Sequence, residues 1–579
     1  MTRQTRKSNF NAALIALHAG YNHSSLALAS IAAQCNQKDF QVICFEHQVK
    51  AKPDTLIDQI LAYQPNLIGF STYLWNIEQC LRIARILKQL LPNSIILLGG
   101  PEAGPRATEL LQTESTIDAI IWGEGEDAFT AIMRHLKSSG DLPQDLSGLY
   151  QRNLDGRVSG TGIALADLNQ LTSPFAKGTA QTDRKLVYFE TSRGCPFHCS
   201  FCTSGEERLR TYSTERILAD LQQLRRLRDK TIKILDRSFH LGNKRTLNLL
   251  EAFVDSDPSL RFHLELNPDR ISDEAVELFA KAPAGKFQFE IGLQTLNPHS
   301  LKNIHRNMNV DLGLARIREL IAIKKHQVHL DLIVGLPGDG PGECIESINR
   351  VFALHPHHLQ LGMLKLLPGT ELLRDADKWE YKWDRSPPYE ILGHRQLSYS
   401  QLSQFKRYAL LLERLWNSGL LKNTLAHLVN QYFDDDLCNF FDQLLISSDN
   451  DLTDMELQHD NIFGYLTHFI AQKLDVKESS CLITLVLWDY LSSMKLTQKT
   501  PDWIRDRIQK TQPVAAANNR RLPMLTLSTE VCAALNKNMS DLLDPGHYAL
   551  DPQIHIAGRP LNIIPLNPVD CVAHSADKA

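Results

Sequence analysis

The sequence predicts an α/β protein in three folded parts: a doubly wound parallel sheet, a barrel-like parallel sheet and an α-rich C-terminal part. Two observations predict the sheets. Short apolar segments alternate with helical segments over residues 12–138, and the same alternation recurs over residues 186–368. A third observation predicts the last part, since apolar residues beyond residue 396 recur at helical spacing. The 579 residues are enough for several domains of roughly 100–200 residues each.

The composition excludes several classes of protein. The chain carries 62 basic and 66 acidic residues, so its formal net charge of −4 provides no basic field for nucleic acid. Its 11 cysteines are odd in number and scattered, which indicates a reducing compartment rather than a disulfide scaffold. The apolar runs at residues 12–17 and 481–488 are far shorter than the roughly 20 residues that a membrane span needs. We therefore expect a cytoplasmic protein with no membrane span and no nucleic-acid partner.

The first part, residues 1–139, is predicted to contain five buried parallel strands. Glycine or polar residues lie at the ends of three of these strands, at Ser71, Gly99 and Gly123. Ligands of open parallel sheets bind outside the carboxyl ends of the strands, but glycines are equally expected in tight strand-to-helix turns. Local sequence leaves both interpretations open. The predicted strands are 14–18, 41–46, 67–71, 95–99 and 119–122.

Three further segments follow this part. Residues 140–184, rich in glycine and proline and with little periodicity, are predicted to be a linker. Residues 185–395 repeat the alternation six times, which predicts a partial (β/α)6 TIM-like barrel whose functional residues gather at the carboxyl ends of the strands. Residues 396–540 are predicted to be a helical accessory domain, and residues 541–579 a tail. The six predicted barrel strands are 187–191, 232–235, 262–267, 287–293, 329–334 and 359–366.

The strongest chemical signal is a loop that follows the first of these barrel strands. It contains Cys195, Cys199 and Cys202 at the spacing C-x3-C-x2-C. Three thiolates on one loop can hold three corners of a cubane iron–sulfur cluster, and the fourth iron is then open to a ligand. A structural zinc ion wants four ligands, and His198 is placed awkwardly between two of the cysteines, so the spacing disfavours zinc.

The segment 191–202 resembles the signature of the radical S-adenosylmethionine (SAM) superfamily, and Phe201 occupies the family's aromatic position. The first sheet resembles the cobalamin-binding domains that are fused to one large subfamily. The C-terminal helical part is similar to a companion domain of unknown function. Further segments similar to strand-end motifs of these proteins are 236–239, 265–268, 289–295, 331–338 and 367–370.

The resemblance implies a mechanism and two cofactors. A 4Fe–4S cluster on the three cysteines would be chelated by SAM and would cleave it reductively to a 5′-deoxyadenosyl radical, which attacks a small-molecule substrate. The electron would come from a reductant such as flavodoxin or ferredoxin. Asp236 and Arg237 are alternatively expected to pair only with each other, and the polar strand-end residues to form a satisfied core network. The residues expected to bind SAM are Phe201, Asp236, Arg237, Glu265, Asn267, Gln294, Gly335 and Gly338.

Cobalamin is the second cofactor that the resemblance implies. The motif D-x-H-x-x-G, whose histidine binds cobalt in many cobalamin domains, is absent from the sequence, as is usual in these fusions. A domain that has lost cobalamin and only shapes the substrate cleft is the alternative. The expected cobalamin contacts are Ser24, Ser71, Thr72, Gly99, Gly100, Glu102, Gly123 and Gly125.

The resemblance therefore implies a cobalamin-dependent radical SAM enzyme that transfers a methyl group to an unactivated carbon or phosphorus centre. A radical cyclisation or rearrangement is the enzymatic alternative. An iron–sulfur electron carrier or redox sensor without SAM cleavage is the alternative from another class, although a carrier normally saturates all four irons with cysteine. RNA methylthiolation is disfavoured, because it predicts a second cysteine triplet and a basic C-terminal module.

Overall fold

The computed structural model describes residues 10–35, 40–153, 155–447, 459–494, 500–507, 509–510, 523–536, 546–551 and 562–565. The structure divides into two compact units. The first comprises residues 1–290, 298–316 and 364–395, and the second comprises residues 291–297, 317–363 and 396–579. This division passes within the second strand series and does not follow the predicted domain boundaries, which stay predictions.

The first sheet confirms the predicted doubly wound α/β part. Its strand order is β2-β1-β3-β4-β5-β6-β7, in which β1 to β5 run parallel and β6 and β7 are antiparallel additions. The strands are β1 Phe10–His18, β2 Phe40–Gln48, β3 Leu67–Ser71, β4 Ile95–Gly99, β5 Ala119–Ile121, β6 Leu149–Arg152 and β7 Val158–Ser159. The helices are α1 Leu26–Cys35, α2 Asp54–Tyr63, α3 Ile77–Leu90, α4 Ala107–Thr113 and α5 Gly125–Ser139.

The burial of this sheet explains its apolar strands. All five residues of β3 are buried, because α2, α3 and α4 supply one apolar cluster and α1 and α5 supply another. The order of the strands reverses between β1 and β3, which is the point where parallel sheets of this kind leave a crevice at their carboxyl ends. The antiparallel strands β6 and β7 lie in the segment predicted to be a linker. They were not predicted because the segment's many glycines and prolines interrupt the apolar pattern of these two short strands.

In the first unit, β8, β11 and β12 pair in parallel and lead to the first half of β13. The burial of β13 alternates along its whole length, as expected for a sheet with one apolar and one polar face. The strands are β8 Leu186–Phe189, β9 Ser192–Arg193, β10 Arg210–Thr211, β11 Thr231–Ile234, β12 Arg261–Leu266 and β13 Phe287–Gln294. The helices are α6 Thr214–Leu224, α7 Lys244–Val254, α8 Asp273–Lys281 and α9 Pro298–Asn303, and α10 Val310–Ala322 begins in this unit.

The apolar face of these strands packs on aromatic side chains. Phe262 stacks on Phe253 of α7 with ring centroids 4.4 Å apart, and Phe279 of α8 meets Phe289 edge-on at 4.6 Å. This packing leaves the other face of the strands for polar residues. The unit is completed by α12 Glu371–Arg374, β16 Lys382–Trp383 and β17 Ile391–Gly393.

In the second unit, β14 Gln327–Val334 and β15 His358–Met363 continue the parallel series, with α11 Pro341–Phe352 between them. The predicted helical C-terminal region is confirmed. Its helices are α13 Tyr399–Leu411, α14 Lys422–Tyr432, α15 Leu437–Ser447, α16 His459–Lys473, α17 Val476–Ser493, α18 Asp502–Arg505 and α19 Thr529–Asn536.

The same unit contains an antiparallel sheet that was not predicted. Its order is β18-β19-β20-β21. The strands are β18 Gln509–Lys510, β19 Pro523–Leu527, β20 Gly546–Asp551 and β21 Asn562–Pro565. Two of them fall in the predicted tail, of which residues 541–545, 552–561 and 566–579 lie outside the described residues. No helix in the described ranges is both long and apolar enough to cross a bilayer.

Candidate functional site

The cysteine loop is held in a tight conformation by its own backbone. The Cys202 amide donates to the Cys199 carbonyl at 3.0 Å, and the Gly205 amide donates to the Cys202 carbonyl at the same distance. A Cβ on Gly205 would lie 2.5 Å from the Cys199 carbonyl oxygen, so only glycine fits where the loop closes on itself. The Cys195 amide bonds to Glu207 at 3.2 Å and ties the loop to the following segment.

The three thiols suit a cluster better than a single metal ion. In a tetrahedral zinc site the sulfurs stand about 3.8 Å apart, given Zn–S bonds of about 2.3 Å. Among the described residues, no three cysteine sulfurs come within 4.8 Å of one another. Burial raises the pKa of the Cys195 thiol to about 11, so a bound cation is needed to keep this sulfur deprotonated at neutral pH. The wider spacing fits the corners of an iron–sulfur cubane, whereas the need for positive charge holds for any bound metal.

Asp236 holds the strand end from which this loop departs. Its carboxylate accepts hydrogen bonds from the backbone amide and hydroxyl of Thr191, at 2.7 and 2.5 Å, and from those of Ser192, at 3.2 and 2.6 Å. The side chain is buried. Both oxygens are thus engaged by donors just before the cysteines, which favours a positioning role over the predicted contact with SAM.

Arg237 is free to meet a ligand. It is exposed, and no carboxylate of the described residues, Asp236 included, lies within ion-pair distance of its guanidinium. Its positive charge lowers the pKa values of Cys202 and Glu265, although burial outweighs this effect in both groups. The guanidinium therefore stands between the cysteine loop and the strands, where an anionic group of a ligand would be attracted.

A row of charged side chains lines the polar face of the first-unit strands. Lys233 and His263 are neighbours in the register of β11 and β12. The Lys233 Nζ lies 3.5 Å from Glu265 and 3.3 Å from Glu290, and the His263 Nε2 lies 2.7 Å from Glu290. Only Glu265 was predicted. The alternation of polar residues with apolar ones along β11 to β13 is the signal that finds the others.

Asn267 follows Glu265 on the same face and binds protein groups at both ends. Its amide nitrogen donates to the Ser238 hydroxyl at 2.9 Å, and its oxygen accepts from the Arg306 guanidinium. Phe201, the aromatic residue before Cys202, is partly exposed. No local sequence pattern marks Arg306, which the sequence analysis missed.

The three remaining residues predicted to bind SAM belong to the second unit. Gln294, at the end of β13, has a positive φ of 70°. Gly335 and Gly338 lie in the turn after β14, with φ of 96° and 104°, and the Asn297 amide donates to the Gly338 carbonyl at 3.3 Å. Their roles stay predictions.

Several residues predicted to bind cobalamin serve the protein itself. A Cβ on Gly100 would lie 2.5 Å from the Thr72 carbonyl oxygen, and one on Gly123 would lie 2.3 Å from the Ala164 carbonyl oxygen. The Thr72 hydroxyl donates to the Gly99 carbonyl at 2.8 Å and accepts from the Ala103 amide at 3.1 Å. These contacts favour the tight-turn interpretation at Gly100 and Gly123.

Two more of these residues have protein partners. The Glu102 carboxylate binds Arg106 at 2.7 Å and accepts from the Tyr389 hydroxyl. A Cβ on Gly125 would meet the Ile31 side chain at 2.8 Å. The cobalamin contacts as a set stay predictions.

The carboxyl edge of the first sheet still offers an open surface. A Cβ on Gly99 would meet only one carbonyl oxygen, at the ordinary distance of 3.8 Å. Ser71 is buried and Ser24 is partly exposed. Tyr73 and Trp75 stack with ring centroids 4.4 Å apart, and Trp75 is 48% exposed. A large uncovered ring beside the strand reversal fits a flat ligand with apolar area.

The loop after β5 is linked to the cysteine loop by charge. The Arg193 guanidinium, two residues before Cys195, lies 2.6 Å from Glu126, 2.7 Å from Glu190 and 3.5 Å from Glu124. Arg210 also pairs with Glu124. The carboxyl end of the first sheet therefore positions the strand pair β9–β10 that frames the cysteines.

Family models match three segments of the chain. They are a B12 binding domain at residues 12–133, the Radical SAM superfamily at residues 189–351 and a protein family of unknown function, DUF4080, at residues 377–536.

Curated relatives and a solved structure agree with these matches. The chain is 24% identical over 335 residues to the cobalamin-dependent radical SAM methyltransferase TokK of Streptomyces tokunonensis, covering 53% of this chain and 48% of TokK. It is 22% identical over 390 residues to an uncharacterized methyltransferase of Pyrococcus horikoshii, covering 64% of this chain and 83% of that protein. The chain thus spans about half the length of TokK.

The fold is shared with OxsB, a cobalamin-dependent S-adenosylmethionine radical enzyme whose structure holds aqua-cobalamin. The TM-score is 0.59 at 14% identity, with 93% of this chain and 84% of OxsB covered. The chain therefore carries, in this order, segments that match a B12 binding domain, the Radical SAM superfamily and DUF4080.

Proposed function

We propose that this protein is a cobalamin-dependent radical SAM enzyme that transfers a methyl group to an unactivated carbon or phosphorus centre of a small molecule. The observation that carries the proposal is the loop with Cys195, Cys199 and Cys202, which offers three thiols to a cluster and leaves one iron open. When bound, the cluster with SAM supplies a 5′-deoxyadenosyl radical and cobalamin supplies the methyl group. A cytoplasmic flavodoxin or ferredoxin is the proposed electron donor.

The chain's own residues have separable tasks in this proposal. The three cysteines hold the cluster, and Asp236 fixes the strand end before them through Thr191 and Ser192. The exposed Arg237 pairs with the carboxylate of SAM, for which its planar fork is suited. Glu265 remains partly exposed on the polar face, where it accepts from ribose hydroxyls. Phe201 is proposed to lie beside the adenine.

Cobalamin is proposed to occupy the carboxyl edge of the first sheet. The residues left for it are Gly99, Ser24 and the Tyr73–Trp75 ring pair, because Gly100 and Gly123 are packed against backbone. The names of the curated relatives, both of which are methyltransferases, support methyl transfer over a rearrangement.

The first experiment is anaerobic purification and cluster reconstitution, followed by reduction with dithionite in the presence of SAM. We expect 5′-deoxyadenosine from the wild type and none from a variant with Cys195→Ala, Cys199→Ala and Cys202→Ala. Cobalamin content is measured by absorbance on the same samples. A wild type that holds a cluster but never cleaves SAM with several reductants would favour the carrier or sensor alternative.

The matched control is Cys80→Ala, because Cys80 is fully buried in the first sheet's core and far in sequence from the cysteine loop. It should retain iron and SAM cleavage. If the control lost both iron and SAM cleavage, the losses in the triple variant would reflect impaired folding rather than impaired iron binding.

A further inference from the structure

Arg306 points its guanidinium at one of the three cysteine sulfurs. Its Nη1 lies 3.7 Å from the Cys199 Sγ, which is hydrogen-bond distance for a sulfur acceptor. Cys199 is the most buried of the three cysteines, and Arg306 itself is only 8% exposed. The contact is therefore shielded from water, where a charged donor acts more strongly on its acceptor.

The direction of this guanidinium is fixed from several sides. Its Nη2 donates to the Asn267 oxygen, and Asn267 is itself tethered to Ser238. The Arg306 backbone amide donates to the Leu301 carbonyl at 2.9 Å. A mobile surface arginine would average its effect over many positions, whereas this one holds a single position beside the sulfur.

The segment that carries Arg306 is also joined to the cysteine loop. The Ser200 amide, next to Cys199, donates to the Ile304 carbonyl at 3.0 Å. The loop after α9 and the cysteine loop thus share a backbone hydrogen bond in addition to the contact between Arg306 and the sulfur. A shift of either loop would therefore change the distance between the Arg306 guanidinium and the Cys199 sulfur.

We propose that Arg306 raises the reduction potential of the cluster held by Cys195, Cys199 and Cys202, by donating a hydrogen bond to the Cys199 sulfur. This rests on the proposed function, in that a 4Fe–4S cluster must be present. In the step concerned, an external low-potential one-electron reductant gives one electron to the cluster, which gains one negative charge while no bond breaks and the guanidinium keeps its protons. Hydrogen bonds and positive charge at a ligand sulfur favour the more negative, reduced state.

The test is a redox titration of the reconstituted full-length protein without SAM, followed by the electron paramagnetic resonance signal of the reduced cluster. The variants are Arg306→Gln and Arg306→Lys. At the wild-type midpoint potential, Arg306→Gln should lower the ratio of reduced to oxidised cluster about tenfold, which is about 59 mV for a one-electron couple. Arg306→Lys keeps the charge but loses the planar fork, so a fall of about threefold is expected.

Arg270→Gln is the matched control. Arg270 lies 6.0 Å from the Phe197 ring of the same loop and is 40% exposed, and none of its hydrogen bonds reaches a cysteine sulfur. It should leave the midpoint unchanged. A shift equal to that of Arg306→Gln would show that any nearby positive charge has this effect, and it would overturn the assignment to the Cys199 contact.

The outcomes separate the two proposals. A wild type that takes up no iron and shows no reduced-cluster signal contradicts the proposed function itself. An Arg306→Gln protein with full iron content and an unchanged midpoint contradicts only the role of Arg306. If Arg306→Gln does not retain iron, the midpoint potential of Arg306→Lys is used instead. An unchanged midpoint potential in Arg306→Lys would then overturn the inference.

Discussion

The two parallel sheets of this protein arise from the same alternation of strands and helices, yet they bury their strands differently. In the first sheet, every residue of β3 is buried, and so are six consecutive residues of β1. In the second series, buried and partly exposed residues alternate along β13, and Lys233, Glu265 and Glu290 occupy polar positions. A sheet covered on both faces can present chemistry only at its strand ends, whereas a sheet with one open face can present it along the strands.

The largest difference in stability is expected when a glutamate is placed on each of the two sheets in turn. Ile68→Glu puts a carboxylate where no water reaches, and it should destabilise the protein by about 4 kcal/mol or more. Gln288→Glu places it on the polar face of β13, where it should cost little. Soluble yield and the apparent Tm of both variants measure the difference. Equal losses would show that the second sheet is as closed as the first.

The strand ends of the first sheet are tested by Gly123→Ala and its control Gly140→Ala. Both glycines have positive φ, at 110° and 88°, so both substitutions cost about 1–2 kcal/mol of backbone strain. Gly123 alone faces protein backbone, while nothing lies within 4 Å of a Cβ on Gly140. Gly123→Ala should therefore lower the apparent Tm clearly more than Gly140→Ala. Similar values would reopen the possibility that Gly123 faces an open ligand site.

The interaction between the charges on the polar face of β11 to β13 is tested by removing the positive charge of Lys233. Lys233→Gln leaves the Glu265 and Glu290 carboxylates facing each other and should cost about 1–2 kcal/mol, less than for a fully buried pair because all three groups are partly exposed. Adding Glu265→Gln should recover most of this loss, which thermal unfolding of the two single variants and the double variant would measure. Strictly additive losses would show that the three charges do not interact.

The smallest effect is a pH dependence of stability in Glu265→Gln. Burial is the main cause that raises the pKa of Glu265 above its ordinary value of 4.5. The folded state then binds this proton more readily than the unfolded chain, so the group's contribution to stability falls as the pH rises through the folded pKa. Glu265→Gln should equal or exceed the wild type in Tm at pH 7, and the difference should close below pH 4.5. A variant that is less stable at pH 7 would contradict this.

Local features of the sequence predicted the fold class and the cysteine loop. The strands β3 and β4 have the predicted bounds, 67–71 and 95–99, because apolar runs bounded by polar residues report burial directly. The three cysteines are seven residues apart at most, so their spacing alone identifies the loop. The strands of the antiparallel sheet between residues 509 and 565 do not alternate with helices as those of the two parallel sheets do, so that signal does not predict them.

Pairings between distant residues could not be predicted. The SAM contact expected of Asp236 stays a prediction, but the sequence did not reveal that its carboxylate accepts hydrogen bonds from residues 44 and 45 positions away. The Arg306 contact spans 107 positions, and the contact between Arg193 and Glu126 spans 67. Sequence shows which residue types are available at a strand end, but only the folded chain shows which partners they already have.

The pairing of Arg193 with Glu124 and Glu126 has a consequence for biosynthesis. Translation runs from the N-terminus, and domains generally fold in that order as they leave the ribosome. The two glutamates therefore emerge before the cysteine motif, and the parallel sheet that presents them can already be formed when Arg193 appears. We expect the nascent protein to shape its cysteine loop on a sheet that has already folded.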